Sequence, residues 1–152
     1  MMINSSDKQS WIRKVKSYLI FTLAGGTVYW GLYIVCRWVL GGHLVWLISI
    51  TLLVPLLVAY VFLFVRGKVR NQESPKVIAL FMLLGIWIFG PLGLAIGELP
   101  RGVILDVRGL LSLWAAFPFS TFMLATYNYS ILSLMITTIM LMIFAAVFKK
   151  EK

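Results

Sequence analysis

The residues able to do chemistry are few, and six of them fall into two short connections. Arg37 and His43 bound the connection between the first two apolar stretches, and Glu98, Arg101, Asp106 and Arg108 follow the third. Together they could form the mouth of a site for an ion or small polar ligand, with Arg37 or Arg101 as counter-ion. Glu98 and Asp106 could also serve as acid and base in a lipid-modifying enzyme at a membrane surface. The more ordinary use of such charges is interfacial salt bridging that fixes the loops. That use carries no activity.

A second set consists of hydroxyls. Thr126, Ser130, Ser133 and Thr137 recur at spacings of 4, 3 and 4, so a helix places all four on one face. Such a face could line a polar path through an oligomeric channel or small-solute transporter. In membrane helices, hydroxyls more often bond their own backbone or a neighbouring helix, for about 0.6 kcal/mol on average. A third set is small residues. Gly93 and Gly97 form a GxxxG, and Thr22 with Gly26 forms a looser version. These spacings let helices approach closely, and packing within one bundle is their commoner use.

Other chemistry is missing from the pattern. One histidine and one cysteine, Cys36, cannot build a zinc set or an internal disulfide, and no HExxH or GxxxxGK[ST] motif occurs. The expectation is therefore a non-enzyme with no metal, cofactor or catalytic residue. No Asp, Glu, Lys, Arg or His lies within the centre of any apolar stretch. Proton relays and ion pumps usually place one there, so active transport is disfavoured.

The elements that position these residues are set by composition. The chain has 152 residues, 61% hydrophobic and 12% charged, with a mean hydropathy of +0.96. Soluble domains carry roughly twice that share of charge, so a water-soluble globule, a disordered chain and a nucleic-acid-binding domain are excluded. The pattern predicts one all-α integral membrane domain, a four-helix transmembrane bundle. Its spans are expected at about 17–36, 44–65, 77–96 and 131–148, each near the twenty residues a bilayer requires. A short separate helix, Asp7–Lys16, would lie on the headgroups before the first span. Pro55 should kink the second span, with the Thr51 hydroxyl serving the carbonyl region it frees.

Leu110–Phe148 is an uncharged run of 39 residues, too long for one span and barely enough for two. Segment 107–126 is therefore either re-entrant or interfacial, giving four spans, or part of a fifth. The basic residues arbitrate. With four spans, Lys8, Arg13, Lys14, Lys16, Arg66, Lys68, Arg70, Lys76, Lys149, Lys150 and Lys152 share one side, against Arg37, Arg101 and Arg108 on the other. A fifth span would move the terminal three and nearly equalise the sides. Four spans with both termini cytoplasmic follow, in a multi-pass protein of a bacterial inner membrane. Trp30, Trp38, Trp46 and Trp114 would then mark the outer interface and Trp11 the inner one.

The net charge of +9 thereby becomes an orientation signal instead of a binding patch. The expected partners are the lipid bilayer and another membrane protein, or a second copy of the chain, and no nucleic acid. The expected function is an accessory, immunity or exclusion-type factor acting by helix contacts. The channel and the lipid-modifying enzyme are the alternatives.

Overall fold

The structure is a computed structural model that describes residues 5–69, 73–102, 106–116 and 130–148, with side chains for all of these except residues 5–8 and 101. Thr126 and the rest of segment 117–129 lie outside the described residues, as do the last four residues. Every described element is helical. They are α1 (Ser5–Val39), α2 (His43–Ile48), α3 (Val54–Val69), α4 (Pro75–Glu98), α5 (Val107–Ala116) and α6 (Ser130–Val147). Four continuous helical stretches are long and apolar enough to cross a membrane: Gln9–Val39, His43–Val69, Pro75–Glu98 and Ser130–Val147. The chain is an all-α membrane bundle.

Local chemistry explains most boundaries. No glycine or proline interrupts residues 5–24, and Gln, Lys and Arg are good helix formers. The polar N-terminal segment is therefore one helix with the first span, which corrects the expectation of a separate headgroup helix over Asp7–Lys16. Gly42, extended at φ −81°, precedes the first turn of α2. Ser74 caps α4, its side chain accepting from the Val77 amide at 3.4 Å, with Pro75 behind it where a missing N–H costs nothing. After α4 a 3-10 turn, Leu99–Arg101, ends at Gly102, whose φ of 75° suits a residue without Cβ. Asp106 then caps α5, accepting from the Gly109 amide at 2.7 Å.

The second span bends its hydrogen-bonding pattern, as Pro55 demands. Ser49–Leu53 form a π-helical turn between α2 and α3, a common accommodation where a helix ladder is disturbed. The Thr51 hydroxyl does not reach the carbonyl region next to Pro55. It donates to the Leu47 carbonyl, one turn earlier, at 2.6 Å.

Helix order fixes how the spans run. Tyr18 stacks on Phe81 with ring centroids 4.4 Å apart, the Trp30 indole donates to Ile86, and the Trp38 indole donates to Ile96. Numbers rise together, so α1 and α4 are parallel, as first and third spans must be. Phe62 meets Phe144, and Arg66 lies over the Phe148 ring, so α3 and α6 are parallel too. The α1–α4 seam is the most extensive interface in the bundle. Behind it, one core joins Phe21, Tyr29, Tyr33, Ile50, Val58, Phe62, Met82, Ile86 and Leu141. Large apolar side chains such as Leu19, Leu56, Leu80 and Met142 are exposed instead. Facing lipid, they cost nothing; in water they would drive aggregation.

α5 has ten residues, about 15 Å and half of a bilayer core. It turns back along α4, and the Trp114 indole donates to the Ile88 carbonyl at 2.8 Å. α6 begins beside Tyr29, whose hydroxyl donates to the Ser130 carbonyl at 3.0 Å. Both contacts lie in the half of the bundle nearer Arg37. Trp30 and Trp114 are therefore set well below the Arg37 end, which corrects their assignment to an interfacial belt; Trp38 and Trp46 remain at that end.

Candidate functional site

Two buried charges meet where α1, α2 and α4 come together. Arg37 occupies the last turn of α1 and Glu98 the last position of α4, so the parallel seam delivers both to the same end. Arg37 Nη2 donates to Glu98 Oε1 at 3.1 Å and Oε2 at 3.4 Å, with side chains only 5% and 8% exposed. The guanidinium also lies over Trp46 of α2, 4.4 Å from the ring centroid. A buried ion pair must offset a desolvation cost of several kcal/mol per ion, and the aromatic face adds a cation–π term of about 0.5–2 kcal/mol. Three helices are thus clasped by one cation.

Above this clasp opens a cleft of about 250 Å³ lined by Arg37, Trp38, Gly41, His43, Trp46, Gly97 and Pro100. His43 is exposed at its rim. The structure therefore brings together three of the six residues singled out by charge: Arg37, His43 and Glu98. It does not add Asp106, an exposed residue occupied in capping α5, nor Arg108, exposed on α5 itself. The Arg101 side chain lies outside the description. Trp46 is the site residue that charge-based reasoning missed; its signal was position, three residues after His43 in the first turn of a helix.

The described part of the hydroxyl face is buried. Ser130, Ser133 and Thr137 are buried to within 1% of full exclusion, turned into the bundle. Thr137 donates to the Ser133 carbonyl at 2.7 Å and Thr138 to Leu134 at 2.8 Å, the self-bonding habit of hydroxyls in apolar helices. Tyr29 covers the start of the row through its bond to Ser130. Among the described residues, Ser130, Ser133 and Thr137 form an internal seam of α6.

Gly93 and Gly97 lie on the seam with α1. A Cβ on Gly93 would collide with the Trp30 indole, and one on Gly97 would meet the Tyr33 ring at 2.6 Å. The closest backbone approach, however, is elsewhere. A Cβ on Gly85 would strike the Thr22 carbonyl, and one on Gly25 would strike the Met82 backbone.

A second polar cleft, about 290 Å³, lies at the opposite end and is lined by Ser10, Arg13, Lys14, Ser17 and Glu73. Among the described residues, no three of His, Cys, Asp and Glu approach closely enough to hold a metal ion. Compared with known proteins, the chain matches no family model, no curated protein and no solved structure.

Proposed function

We propose that the chain is a non-catalytic accessory, immunity or exclusion-type factor that acts through helix contacts with another membrane protein. The observation that carries this reading is the structural employment of the groups other readings need. Glu98 is clasped by Arg37, Asp106 caps α5, and the hydroxyl row is sealed inside the bundle. An acid–base pair or a polar conduit requires these groups to face substrate or solvent. Orientation follows from charge: the N-terminus of α1 and the end of α3 share one end of the bundle, and the basic residues concentrate there. We place that end in the cytoplasm of a bacterial cell, with the protein in the inner membrane.

α6 is the least buried of the four spans. Its exposed stripe includes Met135, Ile139 and Met142, flexible and branched apolar groups able to fit a second helix. Affinity purification of the full chain in mild detergent should recover one stoichiometric membrane protein. Ile139→Ala with Met142→Ala should cut that recovery by about tenfold, equivalent to 1.4 kcal/mol. A monodisperse chain with no partner across several detergents contradicts the proposal. So does recovery that ignores the α6 variant.

A further inference from the structure

The clasp at the Arg37 end sits directly above an apolar groove, and the two share one seam. The groove, about 220 Å³, runs between α1 and α4 and is lined chiefly by Thr27, Gly31, Ile34, Phe89, Leu92 and Ile96. On α1, positions 27, 31, 34 and 38 recur at helical spacing, so the groove's wall continues into Trp38 of the polar cleft. On α4, positions 89, 92 and 96 do the same, and the 3-10 turn that follows brings Pro100 to that cleft. Residues 27 to 38 cover about 16 Å of helix, close to the hydrocarbon depth of one leaflet.

The chemistry changes along this seam as it does along a lipid. The groove is bounded by carbon, and a glycine, Gly31, leaves it open: a Cβ there would meet nothing within 4 Å. The cleft offers Arg37 and His43. Arg37 gives Nη2 to both oxygens of Glu98, and a guanidinium carries five N–H donors. Donors on Nε and Nη1 can therefore serve an oxyanion without breaking the clasp, and arginine suits phosphate in its fork geometry.

We propose that this seam is a binding site for one phospholipid of the leaflet at the Arg37 end, with its phosphate in the Arg37–His43 cleft and one acyl chain along Gly31. A second helix fits the seam less well. An apolar helix would bring no anion to the cleft.

The test uses the purified full-length chain in detergent, titrated with phosphatidylglycerol and read by native mass spectrometry. Dioleoylglycerol, which lacks phosphate, and inorganic phosphate, which lacks a chain, are the comparison probes. The site predicts saturable phosphatidylglycerol binding at least about tenfold tighter than either probe, a difference of 1.4 kcal/mol. Gly31→Leu, whose Cβ enters open space, extends into the groove and should abolish that preference. Gly67→Leu, equally open but on α3 at the other end, should leave it intact. Circular dichroism and monodispersity establish that both variants fold. Equal binding by the two variants overturns the site, as does equal binding of dioleoylglycerol. Inorganic phosphate binding as tightly as the lipid makes the cleft a simple anion site and overturns it too. A Gly31→Leu change in self-association or partner capture with lipid binding unaltered assigns the seam to a helix instead.

Discussion

Gly85→Leu is expected to destroy the folded bundle. The Gly85 Cα faces the α1 backbone so closely that even a methyl group would collide with the Thr22 carbonyl and lie 3.0 Å from the Gly26 nitrogen. Neither obstacle is a side chain that could rotate away. Relief requires separating α1 from α4 along their whole length, which breaks the Trp30–Ile86 and Trp38–Ile96 hydrogen bonds and the Arg37–Glu98 pair at once. Overpacking a core usually costs about 1–3 kcal/mol; here the loss should exceed about 4 kcal/mol, because several contacts fail together. Unfolding by sodium dodecyl sulfate, followed by near-ultraviolet circular dichroism, should show no cooperative transition. Gly31→Leu on α1, where an added Cβ meets open space, should unfold within about 0.5 kcal/mol of the parent, as a surface change does.

The second large effect concerns the clasp. Glu98→Leu leaves the Arg37 guanidinium buried, with the Trp46 face as its remaining contact among the described residues. Removing one partner of a buried pair costs about 3–5 kcal/mol, whereas replacing both with apolar groups is often neutral. The clasp lies near a membrane end, where a long cationic side chain can reach toward water, so about 3 kcal/mol is expected for Glu98→Leu. Arg37→Met combined with Glu98→Leu should recover most of it. The double-mutant cycle measures this coupling directly. Additive losses would mean that the two charges do not hold each other.

Both effects turn on information that a linear sequence carries unevenly. The spans were readable because twenty apolar residues in a row have one use. The expected 77–96 and 131–148 differ from α4 and α6 by no more than two residues at either end. The first span was not readable at its start: Trp11, Ile12 and Val15 suggested a surface helix, yet nothing between Lys16 and Ser17 breaks the backbone. Hydropathy marks where lipid begins, not where a helix does.

The site was half legible. Charge scarcity singled out Arg37 and Glu98, since so few ionisable groups lie near the apolar runs. Their pairing is 61 residues apart in sequence and depends on α1 and α4 running in parallel with a particular axial offset. That offset comes from Gly25, Gly26 and Gly85, and no local spacing links residue 25 to residue 85. The GxxxG at Gly93 and Gly97 was visible for the opposite reason, being local, yet it only admits side chains from α1. Trp30 was misassigned because tryptophan suits an interface in general; here its indole found a carbonyl in the core.

The alternation of four spans is tested most directly by labelling single cysteines from one side of sealed membrane vesicles. The native Cys36 is buried and is replaced by alanine. Gly42→Cys and Gly102→Cys should react with a membrane-impermeant maleimide from one side, and Gly67→Cys and Phe148→Cys only from the other. Phe148→Cys reacting on the same side as Gly42→Cys would place an even number of crossings after α4 and contradict the account.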